Sequence, residues 1–260
     1  MPIRAVVWNE NVHDRENDLV KSIYPKGIHG AIAEALAKDE DLTVSTATLE
    51  QPEHGLSADR LNETDVLLWW GHKAHGQVSD QIVERVAERV WEGMGLIVLH
   101  SGHFSKIFKK LMGAPCSLQW REAGEKERVW IVNRNHPIAQ GLGKSFIVEQ
   151  SEMYGEPFTI PEPMETVFIS WYDGGEVFRS GVTFQRGGGR IFYFSPGHEV
   201  YPIYHDKHVQ TVLRNAVKWA ANAARWREIA SAQNAPVESA PEPIKEKGPR
   251  LHAPGQSGFR

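Results

Sequence analysis

The sequence predicts a single α/β domain built on a mostly parallel sheet with an antiparallel extension. In the first half of the chain, short apolar runs typical of buried strands alternate with segments whose apolar residues recur at helical spacing. Such alternation implies right-handed crossovers between parallel strands. In the second half, strand-like runs follow one another through short connections, which is typical of antiparallel neighbours.

The first half holds four predicted strands and three predicted helices. Each strand is a short apolar or β-branched run, and Ser79 stands where it can cap the second helix. The strands are 3–8, 43–48, 65–70 and 95–99, and the helices are 27–38, 80–91 and 104–112.

The second half holds five predicted strands followed by one long amphipathic helix. Three consecutive glycines at 187–189 predict a hairpin turn between the last two strands. The strands are 128–133, 145–149, 165–170, 181–185 and 190–195, and the helix is 206–229. Residues 231–260 are rich in proline, alanine, glutamate and lysine without periodicity, so we predict a domain over 1–230 and an extended C-terminal tail. We expect this tail to lie on a neighbouring subunit of a homo-oligomer.

Composition excludes several classes of partner. The 260 residues carry 29 basic and 33 acidic side chains, a formal net charge of -4, so no nucleic-acid partner is expected. No apolar run approaches the roughly 20 residues that span a bilayer. The first residues enter a strand-like run without a leader pattern. With a single cysteine, Cys116, these features predict a cytoplasmic protein without a membrane partner.

Polar and titratable residues follow four of the predicted strands. Ligands of open parallel sheets bind beyond the carboxyl ends of the strands, so these residues are expected to share one cleft. The segments are Trp8-Asn9-Glu10, Trp69-Trp70-Gly71-His72, His100-Ser101-Gly102-His103 and Ser195-Pro196-Gly197-His198-Glu199.

The stretch 95–104 is the most informative of these. An apolar strand turns sharply into a helix, with a glycine two residues after the turn residue, which is the pattern of a nucleophile elbow. The elbow residue is His100 rather than serine or cysteine, so covalent acyl chemistry is not expected. Ser101 is an alternative nucleophile, but it stands one place off. A histidine at the elbow is suited to act as a general base or a metal ligand.

The elbow together with Gly197-His198-Glu199 resembles the class I glutamine amidotransferase-like fold. That resemblance implies a flavodoxin-like, three-layer architecture, in which a cysteine elbow is served by a His-Pro-Glu segment. Gly71 and His198 match by position, whereas His100 replaces the cysteine. Glutaminase activity is therefore expected to be absent.

Within that fold, the sequence is similar to the ThuA-like family of trehalose-utilisation proteins over about residues 1–225. The matching segments are Leu99-His100, His136-Pro137-Ile138 with Gly141-Leu142, Glu152-Met153-Tyr154, and Gly189-Arg190-Ile191-Phe192-Tyr193 leading to Gly197-His198. The family is associated with disaccharide catabolism beside NAD-dependent dehydrogenases that make 3-keto sugars. The resemblance implies action on a keto-disaccharide or a related oxidised sugar.

Three residues are predicted to be catalytic: His100, Glu152 and His198. His100 and His198 stand at the cleft, and the family match assigns Glu152 a role as acid, base or carboxylate ligand. Other residues are predicted to bind the sugar, because aromatic faces stack on pyranose rings and polar side chains bond hydroxyl groups. They are Trp8, Asn9, Glu10, His29, Trp70, Trp120, Arg121, Tyr154 and Tyr201.

The histidines also suit a divalent metal such as zinc or manganese, because imidazole and carboxylate groups are common ligands of these ions. His72, His103 and His198 are the predicted ligands. A dinucleotide cofactor is not expected, because no Gly-x-Gly-x-x-Gly follows the first strand.

The predicted activity is cleavage of a 3-keto-disaccharide such as 3-ketotrehalose, by hydrolysis or elimination. The keto group acidifies the neighbouring C–H bond, so His198 or His100 can remove the proton while Glu152 serves the leaving group. A metal or an imidazolium can hold the enolate oxygen. A sugar isomerase or epimerase, and a non-catalytic carbohydrate-binding partner of a sugar dehydrogenase, are the alternatives.

Overall fold

The computed structural model describes residues 2–221, which form one nine-stranded sheet with helices on both faces. Successive residues of a buried strand point to opposite faces, and the first strand shows this directly. Val6 and Trp8 enter the core on one face, whereas Ala5 and Val7 enter the core on the other. The predicted alternation of strands and helices therefore builds two apolar cores, one on each side of the sheet.

The strands and helices have the following bounds. The strands are β1 Ile3–Asn9, β2 Leu42–Thr48, β3 Val66–Trp70, β4 Gly95–Leu99, β5 Gln119–Ile131, β6 Ser145–Gly155, β7 Glu165–Tyr172, β8 Val177–Arg186 and β9 Gly189–Phe194. The helices are α1 His13–Glu16, α2 Asp18–Ile23, α3 Gly27–Leu36, α4 Ala58–Glu63, α5 Asp80–Glu92, α6 Lys106–Met112 and α7 Lys207–Ala221.

The sheet has a parallel half and an antiparallel half. Its strand order is β2-β1-β3-β4-β9-β8-β7-β5-β6. Pairings from β2 to β9 are parallel and pairings from β9 to β6 are antiparallel, four of each within residues 2–221. The prediction of a mostly parallel sheet is thus correct for one half only, because the antiparallel pairings equal the parallel ones in number.

All nine predicted strands are present, but three of them, β5, β6 and β8, extend well beyond their predicted bounds, and β8 begins at Val177 rather than at residue 181. β5 begins at Gln119 rather than at residue 128, and β6 continues to Gly155 rather than ending at 149. The added part of β5 is mostly polar, so it carries no apolar run that would indicate a strand. It pairs with the added part of β6, and Glu152 therefore lies inside a strand rather than after one.

Helix α7 packs on the sheet as its periodicity predicts. From Val209 to Ala220, the spacing between its buried side chains alternates between three residues and one residue, which is the pattern of an amphipathic helix. The predicted continuation over 222–229 and the predicted tail over 231–260 lie outside the described residues. Within residues 2–221, no helix is long and apolar enough to cross a membrane.

Candidate active site at the strand ends

A cavity of about 670 Å³ opens where four neighbouring parallel strands end. The segments after β1, β3, β4 and β9 each contribute titratable side chains to its wall, and β5 and β6 complete it. These side chains are His13, His72, His75, His103, Glu122, Glu152, His198 and Glu199. The ends of these strands therefore bring several histidines together at one edge of the sheet, as the sequence predicts.

The antiparallel half curls back over the cavity. Four strands separate β4 from β6 in the sheet, a span of roughly 24 Å if the sheet were flat. Yet the ring of Tyr154 in β6 stacks on the ring of His100 after β4, with centroids 4.8 Å apart and planes 6° apart. Two register shifts in β5, between Arg121 and Glu127, bend the sheet at this point.

His100 sits at the elbow with φ +49°, in the left-handed region that residues with a side chain seldom adopt. Its ring is buried, and Nδ1 donates to the Ser195 carbonyl oxygen at 2.8 Å. Nε2 lies 3.1 Å from Glu152 Oε2, within ion-pair distance, and 3.3 Å from the Tyr154 hydroxyl oxygen. His100 is not among the residues that line the cavity, so it reaches a ligand through Glu152.

His100 and Glu152 form an ion pair. Burial lowers the pKa of His100, but the hydrogen bond and charge of Glu152 outweigh burial and raise it. Burial likewise raises the pKa of Glu152, and the imidazolium of His100 outweighs that effect and lowers it. Both directions favour the charged forms of the pair, an imidazolium beside a carboxylate.

His198 is the neutral neighbour of that pair. Its ring lies edge-on to His100, with centroids 5.5 Å apart. Burial first, and then the charge of His100, lower the pKa of His198 to about 4. The Val200 amide donates to Nδ1 at 3.3 Å, so the neutral ring carries its proton on Nε2, which lies 3.8 Å from Glu122 Oε1.

Glu199 anchors a second group on the cavity wall. Its Oε1 lies 2.5 Å from His13 Nδ1 and 4.0 Å from His72 Nε2. Burial raises the pKa of Glu199, but His13 and the neighbouring histidines outweigh burial and lower it to about 2. His13 reaches this group because it begins α1 and its ring meets Glu199.

Two of the predicted sugar-binding residues, Trp120 and Tyr154, line the cavity. A third, Tyr201, packs against the ring of His198, with centroids 5.3 Å apart. Two other predicted aromatic residues lie in the core. Trp8 stacks on Trp69 with centroids 3.9 Å apart, and Trp70 Nε1 donates to the Gly197 carbonyl oxygen at 3.1 Å.

The polar residues that the sequence predicts to bind sugar form hydrogen bonds and ion pairs within the protein instead. Asn9 contacts His29 Nδ1 at 3.1 Å and donates to Asp14 Oδ2 at 3.0 Å. Glu10 is buried and accepts from the backbone amides of Lys73 and Ala74. Arg121 forms ion pairs with Glu125 and Glu176 beside the cavity. Asn9, Glu10, His29 and Arg121 are not among the lining residues, and the first two support the loops that carry the site.

The predicted metal ligands do not form one cluster. His103 Nδ1 contacts the Cys116 carbonyl oxygen at 2.6 Å, and burial lowers the pKa of His103 to about 3. Two other groups bring their ligand atoms within 4.8 Å of one another. They are His13, His72 and Glu199, and His100, Glu152 and His198.

Glu127 is a buried carboxylate that the sequence does not single out. It is fully buried in β5 and accepts from Ser151 Oγ at 2.7 Å and Ser170 Oγ at 2.5 Å. Burial raises the pKa of Glu127, and hydrogen bonds from the hydroxyl groups of Ser170, Ser151 and Tyr172 compensate only in part. Ser151 precedes Glu152, so Glu127 fixes the strand next to the catalytic candidate. No local signal distinguishes it from the exposed charges of the same strand.

Comparisons with known proteins agree with this architecture. The family model for trehalose utilisation, ThuA, matches residues 4–220. A ThuA-like protein from Parabacteroides merdae is 15% identical with a TM-score of 0.64, and the match covers 85% of this chain and 90% of that chain. A cytoplasmic protein from Salmonella typhimurium is 14% identical with a TM-score of 0.55, covering 84% and 99%. A search of curated proteins found no match.

A third structure widens the comparison of folds. A protein from Thermoplasma acidophilum, described as a candidate subunit of GMP synthase, is 12% identical with a TM-score of 0.54, covering 89% of this chain and 99% of that chain. At such low identities, these structures show a shared mixed α/β fold and nothing about the reaction.

Proposed function

Because the chain belongs to the ThuA family of trehalose-utilisation proteins, we propose that it is an enzyme that cleaves a 3-keto-disaccharide such as 3-ketotrehalose. Family membership gives it a role in carbohydrate metabolism. The observation that carries the finer proposal is the arrangement of Glu152 and His198. An anionic carboxylate and a neutral imidazole face one cavity, and a buried imidazolium holds the carboxylate in place.

The chemistry of a 3-keto sugar suits these groups. The keto group at C3 makes the proton on C2 acidic, and removing it yields an enolate. The C1–O bond then breaks, the leaving oxygen takes a proton, and the sugar ring keeps a C1–C2 double bond. Addition of water to that bond completes a net hydrolysis.

We assign the proton transfer to Glu152 and the stabilisation of the enolate oxygen to His198. The Nε2–H of neutral His198 can donate to a developing negative charge, which is the task of an oxyanion donor. Glu152 accepts the C2 proton and returns it to the leaving oxygen. His100 orients Glu152, so its role is positioning rather than the base function that its place at the elbow predicts.

The proposal extends to the fold class and to the cellular location of the protein. We propose the class I glutamine amidotransferase-like, three-layer fold, supported by the elbow at His100 and by the Thermoplasma neighbour. Glutaminase activity is not part of the proposal, because no cysteine stands at the elbow. A cytoplasmic location is also proposed, supported by the Salmonella neighbour described as a cytoplasmic protein.

The test is product analysis with 3-ketotrehalose, using trehalose as the control substrate. We expect the keto-disaccharide to be cleaved in D2O with deuterium incorporated at C2, and trehalose to stay intact, because its C2 proton is not acidic. Nuclear magnetic resonance would separate hydrolysis from elimination through the unsaturated product. Conversion to another disaccharide would indicate an isomerase or epimerase instead. Intact substrate after incubation with metal-supplemented protein would contradict the enzyme proposal.

We also propose a divalent metal site, zinc or manganese, at His13, His72 and Glu199. The donor set fits such an ion, because it combines two imidazoles with a carboxylate of low pKa. Two atoms of the group, His72 Nδ1 and Glu199 Oε2, are buried without a hydrogen-bond partner in the described part of the chain. A bound ion would supply a Lewis acid that polarises a substrate oxygen.

Replacing His72 by alanine is expected to lower zinc affinity at least tenfold, measured by calorimetric titration, because one of three protein ligands is lost. His103→Ala is the control, since the His103 ring turns to the Cys116 carbonyl oxygen, and its affinity should stay within about threefold of wild type. Loss of binding in both variants would favour the ligand set that the sequence predicts, because that set contains His72 and His103. Failure of the wild-type protein to bind either ion would refute the site.

A further inference from the structure

The cavity has a second end that the proposed chemistry does not use. Four of its titratable groups, His103, Glu152, His198 and Glu199, are buried, whereas three apolar lining residues are partly exposed and are here called the rim: Phe104, Leu118 and Trp120. We propose that Phe104 and Trp120 form a stacking subsite for the second ring of a disaccharide, the ring that departs when the glycosidic bond breaks. This inference rests on the proposed function and specifies its substrate class: two joined pyranose rings rather than one.

Trp120 is the main platform of this subsite. It is 65% exposed although it lines the cavity, which leaves much of the indole available to a ligand. In the sheet it pairs directly with Tyr154, and paired residues of neighbouring strands point to the same face. Because Tyr154 stacks on His100, the indole lies one strand away from the ion pair. A ring resting on Trp120 is therefore next to a ring held at Glu152.

Phe104 supplies the second aromatic surface, from the segment after the elbow. It is 46% exposed and lines the same cavity. The Lys109 ammonium lies 3.2 Å from the centroid of its ring, and the ring of His103 meets it edge-on with centroids 5.6 Å apart. These contacts hold the Phe104 ring in one place, so little side-chain freedom is lost when a ligand binds.

The division of the cavity matches the shape of a disaccharide. A pyranose ring has apolar C–H faces and hydroxyl groups around its edge, so an aromatic face can cover one side while the edge stays wet. A volume of about 670 Å³ lies within the range of pockets that enclose ligands of this size. A monosaccharide at Glu152 would leave both aromatic rings exposed to water. The rim therefore favours a two-ring substrate.

The experiment compares the binding of trehalose and of glucose by titration calorimetry, in wild type, Trp120→Ala, Phe104→Ala and Trp130→Ala. Trp130 is the matched control, because it lies on the same strand and is 45% exposed but does not line the cavity. We expect Trp120→Ala to weaken trehalose binding about tenfold and Phe104→Ala about threefold. Trp130→Ala should change nothing, and glucose affinity should be alike in all four proteins.

The KM for 3-ketotrehalose separates this inference from the proposed function. We expect KM to rise in Trp120→Ala by the same factor as the trehalose dissociation constant. Cleavage with an unchanged KM and an unchanged trehalose affinity in both rim variants would overturn the subsite and leave the function standing. Weakened trehalose binding in Trp120→Ala, without any cleavage of 3-ketotrehalose by wild type, would support the subsite and contradict the proposed function. If wild type binds neither trehalose nor 3-ketotrehalose, both the subsite and the proposed function are overturned.

Discussion

Replacing Glu152 by glutamine is expected to lower kcat for cleavage of 3-ketotrehalose by about a thousandfold, while the protein stays folded. Glutamine keeps the shape of the side chain but cannot accept the C2 proton. The substrate should still bind, because Trp120 and His198 are unchanged. The loss should therefore fall on kcat rather than on KM, which steady-state kinetics would show.

The matched control is Glu149→Gln, the same substitution in the same strand. Glu149 pairs loosely with Lys126, and its side chain is 75% exposed, so kcat should not change. A second measurement checks the role of His100. Without the Glu152 charge, burial should lower the pKa of His100 below its ordinary value, which histidine resonances would report in a pH titration. A kcat within threefold of wild type in Glu152→Gln would contradict the assignment.

The elbow and the positions of the histidines at the strand ends can be predicted from the sequence, because local patterns determine them. Apolar runs locate the strands, and neighbouring parallel strands end at one edge of the sheet. That reasoning places His72, His100 and His198 correctly without any knowledge of long-range packing.

The other wall of the site depends on long-range packing and could not be predicted. Trp120 and Tyr154 reach His100 because the antiparallel half curls back, and the bulged, polar part of β5 gives no apolar signal of a strand. His13 depends on α1, which has four residues and thus too few for a periodic pattern. Both features become visible only when the strand order is known.

A residue at a strand end can contact a ligand, pack in the core or support a loop, and the sequence does not distinguish these roles. The pattern predicts that Trp8 and Trp70 stack on sugar, but both are buried under neighbouring strands and loops. It predicts that Glu10 bonds hydroxyl groups, but Glu10 accepts two backbone amides of the loop after β3 instead. A buried loop needs its amide groups satisfied, and that requirement takes the nearest carboxylate.

Replacing Gly197 by alanine is expected to lower the free energy of unfolding by about 3 kcal/mol, because the added methyl group has no space. A Cβ at this position would press on Tyr204 Oη and lie 2.9 Å from His100 Cβ. The Gly197 carbonyl is also held by the Trp70 indole, so the backbone cannot move away freely. Thermal unfolding should show a midpoint lower by about 6–12 °C.

Two comparisons separate this steric cause from a general effect of losing glycine. Gly76→Ala should be neutral, because no heavy atom lies within 4 Å of the place that its added methyl group would take. Adding Tyr204→Phe to Gly197→Ala should recover part of the stability, since it removes the hydroxyl group that the methyl meets. An unfolding midpoint of Gly197→Ala equal to that of Gly76→Ala would contradict the packing argument. Because the same methyl also pushes on His100, Gly197→Ala should lose activity together with stability, whereas Glu152→Gln should lose activity alone.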